Sequence, residues 1–449
     1  FGPGWSVVSA FPLPPFFMQL TRQPHGHILT NTAVWSPDSA WIVYDTRSDP
    51  AGAVFDGTRI ERVHVESGKV ETLYTCTQGA CCGVPTYHPT QEKVVFILGP
   101  ENPTADWQYG PCHRQGVIVE TASPQAPLNL DARDLVSPFT PGALRGGSHV
   151  HVFSGDGKMV SFTYEDHVLA LLDQQSGAPT EQDFNQRNVA ITLVEVPVEV
   201  PDSHPRNHAG NGFSVVITRT VNHLRPGSDE ISRAYEDAWV GQQGYLRADG
   251  KRQGAIAFLG DCVTDAGRPI TELFVVEIPE DITQCGDAPL AGTPTRRPAP
   301  PAGTIQRRLT YTSHRKHPGI QGPRHWPRSN FDGSQIAFLM RDEMGQVQLW
   351  CVSPMGGEPE QITHHEFDIF SAFSWHPAGT QLAYIADGSV WVTEFHSRKG
   401  FRLTEKLPAE LAPRSEACVF SPNGKWIAYV RPTEHHGAVY NQVWRVAGG

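Results

Sequence analysis

The chain has 449 residues, of which 42 are Gly and 38 are Pro, while only 18% are charged. Together with 10% aromatic residues, these numbers exclude a disordered chain, a helical bundle and a coiled coil, and they favour a turn-rich all-β protein. The net charge of −11 argues against nucleic-acid binding. No apolar run is long enough to form a transmembrane helix, so we expect no membrane span.

A repeat runs along the chain, consisting of an aromatic residue, Ser or His, Pro, a polar residue and Gly, followed by a short β-rich run. Its six copies, some degenerate, begin at Trp35, Tyr87, Phe153, Ser329, Trp375 and Phe420. Pro presets the turn and the fifth residue supplies a positive φ, so each copy predicts strand, tight turn, strand. Intervals of about 45 to 66 residues are typical of four-stranded propeller blades.

One interval is much longer, because 176 residues separate the third and fourth copies. It must contain a degenerate blade, for which residues 212–219 and 254–260 provide strands. The sequence therefore predicts an all-β, seven-bladed β-propeller, with residues 1–449 in one domain. Within it, we expect residues 1–25 to be an N-terminal extension or a blade-closing segment. We expect the Pro-rich residues 288–303 to be an inter-blade loop.

The third copy carries a dense group of histidines in RGGSHVHVFSGDGKMVSFTYEDHVLAL, which starts at Arg145. His149 and His151 are two apart on a predicted strand, and pairing across the turn places His167 on the same face. Three imidazoles on one face can bind zinc or manganese, or they can act as acid–base groups. Both interpretations are open at this point, and Arg145 is a candidate substrate contact beside them.

A second cluster lies in SDEISRAYEDAWVGQQGYLRADGKR, residues 228–252. Its capping Ser and early acidic residues predict a helix over residues 228–239. Tyr235 is a candidate proton donor or base, and Arg233, Arg247 and Arg252 are candidate clamps for a carboxylate. Arg324 and His325 enter the next predicted blade and are further candidate substrate contacts.

Metal ligands are expected in the irregular blade. His204 and His208 are spaced i, i+4, and Cys262 and Cys285 flank a predicted hairpin. A structural zinc held by these four residues would clamp the blade. A Cys262–Cys285 disulfide or two free thiols are the alternatives.

Several long strings carry a resemblance to a known family: GPENPTADWQYGPCHRQGVIVE from Gly99, the histidine-rich string from Arg145, PGSDEISRAYEDAWVG from Pro226 and PRHWPRSNFDGSQIAFLM from Pro323. They resemble the YidR-like bacterial propellers, which are similar to the ulvan lyases of polysaccharide lyase family 25. The resemblance covers most of the chain and implies a seven-bladed fold. It also implies a structural zinc, while no cofactor is needed for catalysis.

The resemblance further implies site residues and chemistry. By position, His149 and His167 resemble the two His of the lyase site, with His151 a competitor for the first, and Tyr235 and Arg252 resemble its Tyr–Arg pair. The implied reaction is β-elimination at a uronate. Arg252 pairs with the C6 carboxylate, His149 or Tyr235 removes the C5 proton, the other protonates the leaving oxygen, and His167 orients the sugar.

We therefore expect a secreted or periplasmic, monomeric polysaccharide lyase whose substrate is an anionic, ulvan-like polysaccharide. Two alternatives belong to other classes. The same repeat would produce a non-catalytic, TolB-like binding propeller. A metal-dependent oligosaccharide lyase or hydrolase would use His149, His151 and His167 as ligands.

Overall fold

The computed structural model describes residues 17–49, 52–176 and 184–448. These residues form seven four-stranded sheets in a ring, a seven-bladed β-propeller, and include one α-helix. In this part of the chain, no helix combines the length and apolar character that crossing a membrane requires.

The first strand, β1 (Phe17–Gln19), belongs to the last blade. Blade 1 contains β2 (Gly26–Ile28), β3 (Trp41–Arg47), β4 (Arg59–His64) and β5 (Val70–Thr75). Blade 2 contains β6 (Cys82–Tyr87), β7 (Lys93–Leu98), β8 (Gln115–Glu120) and β9 (Leu128–Asn129). A parallel pair, β10 (Ala132–Arg133) and β11 (Ala143–Leu144), leads to blade 3. Blade 3 contains β12 (Gly146–Phe153), β13 (Met159–Asp166), helix α1 (His167–Ser176) in the next connection, β14 (Asn188–Val198) and β15 (Gly210–Val216).

Blade 4 contains β16 (Arg233–Trp239), the inserted hairpin β17 (Tyr245–Leu246) and β18 (Arg252–Gln253), then β19 (Ala255–Val263), β20 (Pro269–Glu277) and β21 (Ile305–Arg308). Blade 5 contains β22 (Arg328–Ser329), β23 (Ile336–Arg341), β24 (Val347–Val352) and β25 (Glu360–Gln361). Blade 6 contains β26 (Ser374–Trp375), β27 (Gln381–Ala386), β28 (Ser389–Glu394) and β29 (Gly400–Arg402). Blade 7 contains β30 (Cys418–Phe420), β31 (Trp426–His435) and β32 (Ala438–Ala447), and β1 completes it.

The ring closes where β1 adds to the edge of β32 in antiparallel register. Just after β1, the Thr21 hydroxyl donates to Gln442 Oε1 (2.7 Å) and the Leu20 amide donates to the Val443 carbonyl (2.8 Å). Of the segment predicted as an extension or a blade-closing strand, residues 17–19 thus pair with the last blade, while residues 1–16 lie outside the described residues. The two ends of the propeller are joined by noncovalent contacts.

The long interval between repeats contains blade 4. Residues 254–260 overlap β19, its second strand, whereas residues 212–219 overlap β15, the outer strand of blade 3. The helix expected over residues 228–239 was a wrong prediction, because residues 233–239 form β16, the innermost strand of this blade. Its backbone groups pair with β19 rather than within a helix, so sheet pairing overrides the helix-like composition.

The Pro-rich residues 288–303 were predicted to connect two blades. They lie between β20 and β21, which belong to the same sheet, so the connection stays within blade 4. The segment leans on blade 3, because the Arg145 guanidinium donates to the Thr293 and Arg296 carbonyls. A Pro-rich segment suits this connection, because proline has no backbone N–H and the segment therefore has few N–H groups that require an acceptor.

The core consists of apolar layers between neighbouring blades. Between blades 3 and 4, for example, Val189 and Ile191 pack with Phe258 and Phe274, and all four side chains are buried. Burying each such side chain contributes roughly 1.5–3 kcal/mol. The layers leave the axis free, and the innermost strands β2, β6, β12, β16, β22, β26 and β30 surround it.

Candidate active site

A funnel-shaped pocket of about 470 Å³ opens at the end of the propeller where the innermost strands begin. Five blades and their connections contribute to it. Its polar lining includes Asn31, Arg47, Tyr109, Arg114, His149, Arg324 and Glu416. Other surface pockets lie away from the propeller axis. In this pocket, polar side chains from many elements converge, which is typical of a ligand site.

Three neighbouring innermost strands share one irregularity, which reaches the funnel lining in β6 and β12. The register shifts between Gly83 and Thr86 in β6, between His149 and Val152 in β12, and between Tyr235 and Ala238 in β16. Each bulge contains a residue with positive φ: Val84 (58°), Val150 (59°) and Glu236 (54°). A β-branched residue in this region is strained, and such strain concentrates at functional sites.

The bulge in β12 separates the two histidines that strict alternation places on one face. His149 and Val150 both line the funnel. His151 instead turns into the blade, where it is 0% exposed and its ring packs against Phe162 (centroids 5.3 Å apart). The extra residue in the bulge is the reason, since it breaks the two-residue period of the strand.

Burial and positive charge keep His149 neutral. Burial lowers the pKa of its imidazole well below the usual 6.5, and the guanidinium groups of Arg114 and Arg324 lower it further. A neutral imidazole at neutral pH can accept a proton. An anion bound beside these two arginines would cancel part of their field and raise this pKa toward its ordinary range.

Arg114 is placed in the funnel by a stack that joins two loops. The rings of Phe55 and Tyr109 stack with centroids 4.7 Å apart and planes at 14°. Arg47 covers the outer face of Phe55 (4.6 Å), and Arg114 lies against Tyr109 (5.2 Å). The Arg114 Nε also donates to the Tyr109 hydroxyl oxygen (3.1 Å). The stack fixes two cations and two rings on one wall of the pocket.

Of the three arginines that line the funnel, Arg114 is the one whose charge is not compensated by an ion pair. Arg47 forms an ion pair with Asp45 (2.7 Å) and Arg324 forms one with Glu236 (2.7 Å). No carboxylate among the described residues forms an ion pair with Arg114. The backbone of Arg114 is fixed by a hydrogen bond, because the buried Arg133 donates to the Arg114 carbonyl (2.6 Å). The funnel therefore presents a free guanidinium suited to a carboxylate.

Two further groups complete the funnel. Burial raises the pKa of the Tyr109 hydroxyl, with Arg114 opposing that shift, so the phenol keeps its proton at neutral pH. Burial also raises the pKa of Glu416. The site thus offers a neutral base in His149, a proton donor in Tyr109 and a carboxylate clamp in Arg114.

His167 lies outside this lining, at the first position of α1 behind the loop that carries Arg114. His113 Nδ1 faces the Gln108 carbonyl (2.7 Å), and His113 Nε2 lies 3.0 Å from His167 Nδ1. Trp107 stacks on His113 at 3.9 Å. Burial and His113 lower the pKa of His167 to about 4, so both rings are neutral and His167 Nδ1–H donates to His113 Nε2.

Tyr235 and Arg252 lie at opposite ends of blade 4. The Tyr235 hydroxyl donates to Asp261 Oδ1 (2.7 Å) and lies 3.2 Å from Thr271 Oγ1. Asp261 and Thr271 line a separate groove of about 710 Å³. Arg252 is on the β17–β18 hairpin, beyond the far end of β16, where it donates to the Gly244 carbonyl (3.1 Å). The structure does not bring this Tyr–Arg pair together, nor either member to His149.

The remaining predicted substrate contacts differ in their placement. Arg324 lines the funnel and lies over Trp326 (4.6 Å). Arg145 is 0% exposed and donates through Nε to Asp166 (2.9 Å). His325 faces into blade 5, where Nδ1 donates to the Pro323 carbonyl (2.9 Å) and Nε2 accepts from the Leu339 amide (3.0 Å). Only Arg324 of these three faces the funnel.

The four predicted zinc ligands do not fit a zinc site. His204 and His208 lie between β14 and β15, Cys262 is buried in β19, and Cys285 is exposed in the loop after β20. All eight cysteines are unpaired. Among the described residues, the group whose potential ligand atoms lie within 4.8 Å of one another is a different one: His25, His27 and Glu61.

Sequence reasoning missed Arg114, Tyr109 and Glu416. Tyr109 and Arg114 are part of WQYGPCHR, inside one of the strings that carried the resemblance. An aromatic-rich insertion between two strands of a blade is the signal that could have found them, since long loops with their own aromatic packing are often functional.

Comparison with known proteins finds a family and a full-length relative that match this chain. The family described as "Protein of unknown function (DUF3748)" matches residues 81–208. An Escherichia coli (strain K12) relative, "Uncharacterized protein YidR", is 48% identical over 416 residues, covering 92% of this chain and 94% of that protein.

Solved structures share the architecture at low identity. An oligogalacturonate lyase from Vibrio parahaemolyticus matches with a TM-score of 0.54 at 10% identity, covering 96% of this chain and 92% of that chain. A Mycobacterium tuberculosis puromycin-hydrolyzing peptidase matches with a TM-score of 0.51 at 13% identity, covering 95% of this chain and 52% of that chain. These likenesses show the propeller fold alone.

Proposed function

The chain belongs to the family of the Escherichia coli protein YidR, and we propose that it is a polysaccharide lyase that cleaves a uronate-containing, ulvan-like polysaccharide by β-elimination in the funnel. The observation that carries the proposal is the uncompensated guanidinium of Arg114 beside a neutral His149. Oligogalacturonate lyases among the solved propellers of this fold add support. A polymeric substrate also suits a secreted or periplasmic protein.

In the proposed reaction, Arg114 pairs with the C6 carboxylate of the uronate and stabilises the negative charge that develops there. His149 removes the C5 proton, and its pKa rises because the bound anion offsets the two nearby arginines. The electron pair of the C5–H bond forms the C4–C5 double bond as the C4–O bond breaks. Tyr109 supplies the proton that the leaving oxygen takes up.

The test is incubation with ulvan and with polygalacturonate while the ultraviolet absorbance of the unsaturated product is followed. We expect His149→Ala to lower turnover about 10²- to 10⁴-fold and Arg114→Gln to lower it about 10²-fold or more. Arg252→Gln is the matched control, because Arg252 lies at the far end of blade 4 and the variant should keep full activity.

Two results would contradict the proposal. A folded wild-type protein that releases no unsaturated product from any uronate polymer would exclude lyase activity. Loss of activity in Arg252→Gln with full activity in Arg114→Gln would instead return the carboxylate clamp to the residue that the family resemblance implies.

A further inference from the structure

Two histidines and a glutamate converge in blade 1, away from the groups assigned to the proposed reaction. His25 precedes β2, His27 lies within it, and Glu61 lies on β4. One potential ligand atom from each residue lies within 4.8 Å of the other two. The two imidazole rings are stacked, with centroids 4.4 Å apart. Two imidazole nitrogens and a carboxylate oxygen are a donor set that zinc takes in proteins.

His27 provides an independent sign of a missing ligand. The residue is 0% exposed, and its Nδ1 lies 2.9 Å from the Asn441 carbonyl, to which it must donate. The neutral ring then carries a lone pair on Nε2, and this buried atom has no hydrogen-bond partner among the described residues. Metal-binding histidines commonly donate their other ring N–H to a backbone carbonyl in this way.

Glu61 is also placed to act as a metal ligand. Its Oε2 accepts from the Tyr44 hydroxyl (3.0 Å), which leaves further lone pairs on the carboxylate. Arg59 lies 3.2 Å from Oε1, and its side chain is 40% exposed, so it can move into solvent when a cation arrives. Hydrogen-bonded carboxylates of this kind are usual in metal sites.

We propose that His25, His27 and Glu61 bind a divalent transition-metal ion, for which zinc is the best match. The ion joins β2 to β4 within blade 1. Through the bond from His27 to Asn441 on β32, it also stiffens the seam where the first and last blades meet. The site is separate from the funnel chemistry, and its occupancy does not depend on the proposed lyase reaction.

The experiment titrates Zn²⁺ into tag-free protein that has been stripped with a chelator, using calorimetry together with thermal melting. We expect one tightly bound Zn²⁺ per chain and a higher melting temperature when it is bound. Glu61→Gln and His25→Ala should each weaken binding more than about tenfold. A double variant, His204→Ala with Cys285→Ala, is the matched control and should bind as wild type does.

A second readout keeps the test independent of stability. Co²⁺ bound at the triad should give a visible d–d absorption that Glu61→Gln abolishes while circular dichroism shows a folded propeller. The proposal is overturned if folded wild-type protein binds no Zn²⁺ at micromolar concentration. It is also overturned if His25→Ala and Glu61→Gln bind Zn²⁺ as tightly as wild type, or if the control variant loses it.

Discussion

At the scale of single residues, the charge on His149 depends on burial and on two arginines. Because both influences disfavour the imidazolium, the pKa of His149 is well below 6.5 in the free protein. Removing one positive charge with Arg114→Gln should raise this pKa, and so should a bound glucuronate oligosaccharide. NMR titration of isotope-labelled histidine, with His149→Gln to assign the signal, measures both effects.

Arg252→Gln is the control for this titration, since that residue lies at the far end of blade 4. The direction of the shift is the decisive result. If His149 titrates near 6.5 in the free protein, or if Arg114→Gln leaves its pKa where it was, the arginines do not control the imidazole. The base assigned to the reaction would then need another explanation.

At the scale of strands and turns, the repeat predicts the blades well because its chemistry is local. Pro and the fifth-position residue determine a turn without help from the rest of the chain, as the positive φ of Gly157 (74°) and Gly424 (72°) shows. The bulges are different, because a register shift is set by the partner strand. His149 and His151 therefore share a face in the sequence pattern but not in the sheet.

The placement of Tyr235 and Arg252 failed to follow from sequence for a related reason. Their separation along the chain resembles the family pair, yet β16 runs between Tyr235 and the β17–β18 hairpin that carries Arg252. A strand advances about 3.3 Å per residue, so residues near its two ends cannot meet. The aromatic-rich insertion could mark Arg114 as a candidate, but its position in the funnel depends on the stack of Tyr109 on Phe55 from the loop of another blade, which a local pattern does not predict.

The repeat also contains a contact between blades that only the structure shows. His88 of blade 2 covers the turn of blade 3, and a Cβ added at Gly157 would lie 2.1 Å from His88 Nε2. The ring also packs edge-on against Phe153 (4.7 Å). His376 repeats the arrangement over Gly424, where the corresponding distance is 2.2 Å. In both cases the His of the repeat packs on the turn of the next blade and so joins two neighbouring blades.

We predict that Gly157→Ala destabilises the protein more than Gly250→Ala does. Both glycines have positive φ, 74° and 79°, so each substitution costs about 1–2 kcal/mol in backbone strain. Only Gly157 adds a clash, because nothing lies within 4 Å of a Cβ at Gly250. Urea unfolding measures the difference. Equal losses, or a failure of His88→Ala to relieve part of the Gly157→Ala loss, would show that the clash is unimportant.

At the scale of the whole molecule, several ionisable groups are buried inside the blades and between them. Burial lowers the pKa of His151 to about 3 and of His325 to about 4, and it raises the pKa of Asp131 to about 6 and of Asp237 to about 7. The two kinds of group act oppositely on stability. Between the folded and unfolded pKa values, each histidine binds a proton only on unfolding, whereas each aspartate binds one only when folded.

His151 and Asp237 therefore make the free energy of unfolding depend on pH in opposite directions. From pH 6.5 down to about 3, His151 makes unfolding take up a proton, so its contribution to stability is lost as the pH falls. From pH 3.8 up to about 7, Asp237 makes unfolding release a proton, so its contribution is lost as the pH rises. Each proton changes the slope of the unfolding free energy by about 1.4 kcal/mol per pH unit.

Two variants should therefore change the pH dependence in opposite directions. His151→Leu removes a ring whose nitrogens have no partner among the described residues, so it should flatten the loss of stability between pH 6.5 and 4.5 without destabilising the protein at pH 7.5. Asp237→Asn should steepen that loss, because the opposing proton disappears. His436→Asn, on an exposed histidine, is the control. Urea unfolding at about pH 7.5, 6.0 and 4.5 measures the free energy of unfolding of all three variants across this interval. If His151→Leu and Asp237→Asn change its slope against pH in the same direction, the assignment of these buried charges is wrong.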